Sequence, residues 1–173
     1  MVIIQNYTLE PRGDTSFSCK SREESHCLHC RGKFKVIGSR RRVLYQQDGS
    51  CIFLVVRRLR CLGCKKISHE LPDIVVPYKR HEADTIACRL AGNPLQKAVC
   101  CPAESSTMNR WKHWFFYNQV YFEKSLLSIK KQTNRVPYPF FPLSPLNRQP
   151  EGWLRHLIYH LVNFDFWKQT RSA

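Results

Sequence analysis

Two short cysteine motifs decide the fold that this sequence predicts. The chain reads Cys27-Leu28-His29-Cys30 and, further along, Cys61-Leu62-Gly63-Cys64. Two cysteines with two residues between them lie on one tight turn, at the separation that a tetrahedral Zn²⁺ ion bridges. A pair of such turns completes a four-sulfur structural site with no open position for a substrate. We therefore predict that Cys27, Cys30, Cys61 and Cys64 bind one structural Zn²⁺ ion.

The residues between the two motifs predict a long β-hairpin. Strands are expected at 34–45 and 51–59, because both segments are rich in β-branched and other apolar residues. Gln46-Gln47-Asp48-Gly49 joins them, and Asp-Gly is a strong signal for a hairpin turn. Cysteine turn, hairpin, cysteine turn is the layout of a zinc ribbon. Four neighbouring residues are alternative ligands, which we expect instead to be loop or strand residues: Cys19, His26, His29 and Cys51.

Positive charge is concentrated on the same segment. The chain has 28 Lys and Arg against 13 Asp and Glu, a net charge of +15, and residues 31–66 alone carry eleven Lys and Arg against Asp48. Arginines 40–42 facing Arg57 and Arg58 across a hairpin would repel one another without an anionic partner. A polyanion, nucleic acid before a membrane surface, is therefore expected. The predicted phosphate contacts are Arg40, Arg41, Arg42, Arg57, Arg58 and Arg60.

Several classes of protein are not expected from this sequence. Nine cysteines are an odd number, and four of them serve better as metal thiolates than as disulfides. No secretory signal follows Met1, and no apolar run approaches the roughly 20 residues of a membrane helix. No nucleophile with its base, no phosphate loop and no open metal site can be found. We expect a cytoplasmic protein that is not an enzyme and has no membrane partner.

Beyond the hairpin the pattern becomes helical, which predicts an α+β fold. Helices are expected at 81–91, 95–99, 105–130 and 153–167, with Ser105 or Ser106 as an N-cap. The expected segments are a loosely ordered lead-in (1–26), the zinc ribbon (27–76), a helix-turn-helix-like helical domain (77–132), a Pro-rich connector (133–150) and a C-terminal helix packed on the bundle (151–173).

The helices predicted at 95–99 and 105–130 resemble a helix-turn-helix. Met108, Trp111 and Phe115 fall on one face of the second helix and should pack inward. The opposite face carries residue types that hydrogen-bond base edges or phosphates. We predict that these residues contact DNA: Ser106, Asn109, Arg110, Lys112 and His113. An ordinary helical bundle with a polar outer face would show the same pattern.

The chain also resembles a known family. The two cysteine pairs, the run His69-Glu70-Leu71-Pro72-Asp73 and the run Val76-Pro77-Tyr78-Lys79-Arg80 resemble an uncharacterised bacterial domain family of unknown function. The order of ribbon and helix-turn-helix is similar to the DNA-binding front end of insertion-sequence transposases. Those enzymes continue into a domain with three catalytic carboxylates, for which this chain has no room.

These observations favour a zinc-stabilised protein that binds double-stranded DNA, as a transcriptional regulator or a targeting factor for a mobile element. One alternative is a zinc-dependent adaptor that docks on a protein through its aromatic C-terminal region. Another is an RNA-binding module, which would need exposed aromatic rings beside the arginines. The ribbon offers Phe34, Tyr45 and Phe53 for that purpose. The sequence leaves the oligomeric state open.

Overall fold

The computed structural model describes residues 1–92, 103–134, 142–143 and 145–167. Its strands are β1 (Val2–Ile4), β2 (Tyr7–Pro11), β3 (Ser16–Ser21), β4 (Phe34–Tyr45), β5 (Cys51–Cys61) and β6 (Ile67–Pro72). Its helices are α1 (Ala83–Ala91), α2 (Ser105–Thr133) and α3 (Trp153–Asn163), with a short 3-10 helix at Leu146–Arg148. A curled sheet followed by helices confirms the predicted α+β class.

The predicted hairpin is present as β4 and β5. The two strands pair antiparallel from Tyr45 opposite Cys51 to Phe34 opposite Cys61, with a bulge between Val36 and Gly38. The Asp48 carboxylate accepts the Ser50 N–H at 2.8 Å and so fixes the turn. β5 runs two residues beyond its predicted end and reaches the second cysteine turn.

β5 is the central strand of the sheet. One of its edges pairs with β4 along almost its whole length. The other edge is shared: the first part pairs parallel with β3, and the last part pairs antiparallel with β6. β4 has no second partner among the described strands, but its last residue, Tyr45, bridges to His81: the Tyr45 N–H donates to the Arg80 carbonyl at 2.7 Å, and the Glu82 N–H donates to the Tyr45 carbonyl at 3.1 Å.

The prediction of a loosely ordered segment before the first cysteine turn was wrong. β1 pairs parallel with β6, and β2 and β3 form a second hairpin that joins the edge of β5. Burial explains why this segment is ordered, since Ile3 and Ile4 are among the most buried side chains of the described residues. The Asn163 side chain at the end of α3 also donates to the Ile3 carbonyl at 2.8 Å and accepts its N–H at 2.9 Å.

The helices cover one face of the sheet and share its core. The predicted apolar stripe of α3 is buried, and Trp153 packs edge-on against Phe115 of α2 at 5.4 Å between ring centroids. Arg155 of α3 also donates to Asp84 of α1 at 2.9 Å. The predicted cover of the α2 aromatic residues by the C-terminal helix is therefore confirmed in part, because Tyr117 remains exposed.

The helix ends differ from the sequence predictions in two places. α2 begins at Ser105 as expected, but its N-cap residue is Glu104, and no side chain caps it. α3 stops at Asn163 and not at Trp167, because Asp165 adopts a left-handed conformation (φ 63°) and the Phe166 N–H turns back to the Leu161 carbonyl at 2.7 Å. The helix predicted at 95–99 and residues 135–141 and 144 of the Pro-rich connector lie outside the described residues.

Candidate metal centre and basic cleft

Four cysteines converge where the open end of the β4–β5 hairpin meets the loop before β4. The Sγ atoms of Cys27, Cys30, Cys61 and Cys64 all lie within 4.8 Å of one another. Cys27 and Cys64 are 3.6 Å apart, and Cys30 and Cys61 are 3.3 Å apart. Tetrahedral Zn–S bonds of about 2.3 Å place two sulfurs about 3.8 Å apart. The cluster therefore fits a metal ion, and within the described ranges none of the alternative ligands belongs to it.

The two cysteine turns share one backbone geometry. The Arg31 N–H donates to the Cys27 carbonyl at 2.7 Å, and the Lys65 N–H donates to the Cys61 carbonyl at 3.2 Å. Arg31 and Lys65, each directly after the second cysteine of its pair, adopt left-handed conformations with φ of 59° and 64°. The local sequence thus builds the same turn twice, and pairing of β4 with β5 brings the two copies together.

Backbone N–H groups of these turns point at the sulfurs. The Gly32 N–H, with the Cys61 thiol and the Cys64 N–H, lowers the pKa of Cys30 to about 6. Burial acts to raise the pKa of Cys27, but the N–H groups of Cys30 and His29 outweigh it and lower the pKa. Such donors stabilise thiolates, the form that binds a metal ion.

The pKa of Cys64 shifts in the opposite direction to those of Cys27 and Cys30. The Lys66 N–H acts to lower its pKa, but burial and the neighbouring thiols outweigh that effect and raise the pKa to about 11. The neighbouring thiols therefore oppose ionisation of Cys64. A bound cation would supply the missing compensation.

Two glycines leave room for the sulfurs. A Cβ atom on Gly32 would lie 3.1 Å from the Cys61 sulfur and 3.3 Å from the Cys30 sulfur. A Cβ atom on Gly63 would lie 3.4 Å from the Cys30 sulfur, which is an ordinary contact. Sequence reasoning did not single out Gly32, although its place two residues after a ligand cysteine was a usable signal.

The arginines of the hairpin face different neighbours from those predicted. Arg40, Arg41 and Arg42 lie opposite the apolar residues 56, 55 and 54, while Arg57 and Arg58 lie opposite Ser39 and Gly38. The predicted direct repulsion across the hairpin was therefore wrong. The turn and the bulge fix the register, and neither could be counted from the sequence to one residue.

Arg57 has a structural partner. Its Nε donates to the Glu70 carboxylate at 2.6 Å, and Glu70 is only 2% exposed. The Ser25 hydroxyl donates to the same carboxylate at 3.1 Å. This ion pair, buried on the side of Glu70 and half-buried on the side of Arg57, joins β5 to β6, so the Arg57 guanidinium already has a partner within the fold. Arg58 is half-buried, and Arg60 is exposed.

The other arginines line a concave surface. β4, β6 and the turn at 77–80 enclose a cleft of about 500 Å³, which we call the basic cleft. Its polar and charged lining residues are Arg40, Arg41, Arg42, His69, Tyr78, Lys79 and Arg80. No acidic residue lines it among the residues that the structure describes. The sequence did not predict His69, Tyr78, Lys79 and Arg80 as site residues, because only folding brings β6 and the turn at 77–80 beside β4.

Internal contacts hold the cations of the basic cleft in place. The Arg41 guanidinium lies over the Phe53 ring at 3.6 Å, and an Nη atom of Arg42 donates to the Lys79 carbonyl at 3.4 Å. The Lys79 ammonium lies 5.0 Å from the Trp114 ring centroid, and burial lowers its pKa. Burial, followed by the positive charges of Arg40 and other neighbours, also lowers the pKa of His69. Phe53 and Trp114 do not line the basic cleft, so the cations of its lining that no ring covers are Arg40, Arg42 and Arg80 among the described residues.

The turn beside the basic cleft is strained. The Lys79 N–H donates to the Val76 carbonyl at 3.0 Å across Pro77 and Tyr78, and Tyr78 has a φ of 65°. Proline followed by a positive φ is the pattern of a type II turn, in which glycine is the usual second central residue. A tyrosine there costs on the order of 1 kcal/mol, and 46% of Tyr78 is exposed.

The predicted outer face of α2 is solvent-exposed. Its exposed members are Ser106, Asn109, Arg110, Lys112 and His113. Trp111 and Phe115 are buried beneath them as predicted. The preceding helix of the predicted motif lies outside the described residues, and contact of this face with DNA stays a prediction.

One protein-family match spans both the four cysteines and the strands and turn that form the basic cleft. Residues 27–111 match a domain of unknown function, DUF6431. The DUF6431 match begins at Cys27, the first cysteine of the cluster, and ends at the buried Trp111, so it includes both cysteine turns, the hairpin and the turn at 77–80. It confirms the resemblance to an uncharacterised domain family. No curated protein and no solved structure shows a significant match to the chain.

The helices carry no signal for membrane insertion. Within the described ranges, none is both long enough and apolar enough to cross a bilayer. α2 is the longest of them, and lysines at its carboxyl end and polar residues along one face interrupt its apolar positions.

Proposed function

We propose that the protein is a zinc-stabilised DNA-binding protein that binds the phosphate backbone in the basic cleft. The observation that supports this most is the cleft itself. Four arginines and Lys79 line one concave surface without an acidic neighbour among the described residues. Such a field is unfavourable in isolation and is relieved by a polyanion.

The metal would hold the cleft in shape. A set of four thiolates favours Zn²⁺, which accepts tetrahedral sulfur coordination and needs no open position in a structural site. Bound at the open end of the hairpin, the ion would complete a zinc ribbon and fix β4, the strand that carries Arg40, Arg41 and Arg42. Its role would be structural, with DNA contacts made elsewhere.

Sequence preference would come from α2. Ser106, Asn109 and Arg110 are exposed near the amino end of the helix, where a recognition helix of a helix-turn-helix contacts base edges. Lys112 and His113 lie on the next exposed positions and would reach phosphates or bases. A protein built this way would serve as a transcriptional regulator or as a targeting factor for a mobile element.

The test is the salt dependence of duplex binding. Zinc-loaded wild-type protein and Arg40→Ala/Arg80→Ala would be titrated into a labelled duplex at several salt concentrations, with fluorescence anisotropy as the readout. Each lost phosphate contact should reduce the slope of log K against log salt by about 0.9. We expect the double variant to lose about 2 from that slope.

Arg12→Ala is the matched control, because Arg12 is an exposed arginine at the end of the β2–β3 hairpin and does not line the basic cleft. It should leave the slope nearly unchanged. A wild-type protein without measurable affinity for the duplex at low salt, or a control that weakens binding as much as the double variant, would contradict the proposal.

One observation favours the adaptor alternative. Phe116, Tyr117 and Val120 form an exposed apolar group on α2, with Tyr117 80% exposed. Exposed groups of this kind are found at protein interfaces. Absence of nucleic-acid binding by folded, metal-loaded protein would move the proposal to this surface.

A further inference from the structure

We propose that the basic cleft takes an unpaired nucleotide of DNA, with the base stacked on Tyr78 and the phosphate held among the arginines. This inference rests on the proposed DNA-binding function and makes it more specific. It predicts a preference for DNA that carries a single-stranded segment beside a duplex.

The first observation is the position of Tyr78. The turn at 76–79 would be less strained with glycine at that position, yet a large aromatic ring stands there with 46% of its surface exposed. The ring does not contribute to the buried core. A strained and exposed aromatic residue at the wall of a cleft points to a role in binding.

The second observation is that the other aromatic rings near the arginines are occupied. The Phe53 ring is covered by the Arg41 guanidinium at 3.6 Å. The Tyr45 ring packs against His81 at 5.0 Å. Within the described part of the cleft lining, the remaining aromatic side chains are His69 and Tyr78, and Tyr78 is the more exposed of the two, so its ring is the better placed to accept a stacked base.

The third observation is the combination of charge and size. Arg42 is held by its hydrogen bond to the Lys79 carbonyl, so a cation is fixed close to the turn that carries the Tyr78 ring. A cleft of about 500 Å³ falls within the range of small-ligand sites, about 300–1,000 Å³. One nucleotide, an anionic phosphate joined to a flat base, matches both the field and the space.

Base pairing decides which form of DNA fits. In a duplex the faces of each base are covered by its stacked neighbours, so Tyr78 could reach only an unpaired base. Stacking on an aromatic side chain tolerates any base, because every base has a flat face. The expected specificity is therefore for DNA form and not for sequence.

Three probes test the inference on the full, zinc-loaded chain. They are a blunt duplex, the same duplex with a short single-stranded overhang, and that duplex with an abasic overhang of equal length. We expect the wild type to bind the overhang probe about tenfold more tightly than the blunt duplex. The abasic overhang keeps the phosphates and lacks the bases, so its affinity should fall back towards that of the blunt duplex.

Two substitutions separate the ring from the turn. Asparagine adopts the left-handed conformation readily, so Tyr78→Asn should keep the turn and lose the overhang preference. Tyr78→Phe should keep the preference, because it keeps the ring. Val120→Asn is the control for loss of an exposed apolar side chain elsewhere, since Val120 is 61% exposed on α2 and does not line the basic cleft, and it should behave as the wild type. Thermal melting of each variant shows that it is folded.

Equal affinity of the wild type for blunt and overhang probes would overturn this inference and leave duplex binding in place. Tight binding to the abasic overhang would also overturn it, since phosphates alone would then explain the preference. Loss of binding to every probe, the blunt duplex included, would instead reject the proposed DNA-binding function.

Discussion

At the scale of single residues, the candidate metal centre depends on the residue spacing within each cysteine pair, which the sequence shows. It also depends on the room left around the sulfurs, which the sequence does not show. The clustering of four cysteines could be predicted because each pair is local, with two residues between its members. The contribution of Gly32 could not, because the sulfur that a side chain there would meet belongs to the other end of the hairpin. The role of Tyr78 was equally hidden, since a turn brings it beside arginines from β4.

Gly32→Ala should weaken metal binding. Its Cβ atom would press on two ligand sulfurs, whereas the Cβ atom of Gly63→Ala would make only an ordinary contact. We expect Gly32→Ala to lower zinc affinity about tenfold, the effect typical of a change next to the ligands, and Gly63→Ala to lower it less. Competition with a chromophoric chelator measures both affinities. Equal affinities for the two variants would argue against the steric account.

At the scale of elements, local sequence patterns predicted individual strands and helices well. They did not predict which strands pair with one another. The Asp-Gly turn and the apolar periodicity predicted β4, β5, α1 and α2 to within a few residues. β2 and β3 were missed because they are five and six residues long and largely polar. Their strand conformation is stabilised by partners far away in the sequence, which no local pattern encodes.

The Glu70–Arg57 pair shows what such a long-range contact contributes. Glu70→Ala would leave Arg57 without its acid at a site where the arginine side chain is 35% exposed. Breaking a buried pair costs about 3 kcal/mol at the lower end of the usual range, which suits this partial exposure. Glu10→Ala removes an exposed pair with Lys20 and should cost less than about 1 kcal/mol. Urea denaturation measures the free energy of unfolding of both variants. Equal decreases would show that burial of Glu70 adds nothing to the stability that its ion pair contributes.

At the scale of the whole molecule, the metal should determine how much of the sheet persists. Cys61→Ser, or zinc removal by a chelator, should lower the melting temperature and expose the amides at the open end of the β4–β5 hairpin, because the metal would join the two cysteine turns there. Cys51→Ser is the matched control, since Cys51 lies in β5 but outside the sulfur cluster. Circular dichroism and hydrogen exchange measure the change. An unchanged spectrum and unchanged exchange after complete zinc removal would contradict a structural role.

The position of the cysteines at the open end of the hairpin sets an order of events in time. Thirty residues separate Cys30 from Cys61 along the chain, and the turn near Asp48 lies midway between them. Strand pairing that starts at this turn and spreads outward meets the cysteines last, so ion capture would complete folding and would not initiate it. In the reverse direction, brief fraying of the last strand pairs would suffice to release the ion while the turn is still intact. The rate at which a chelator removes zinc would then report the rate of that fraying.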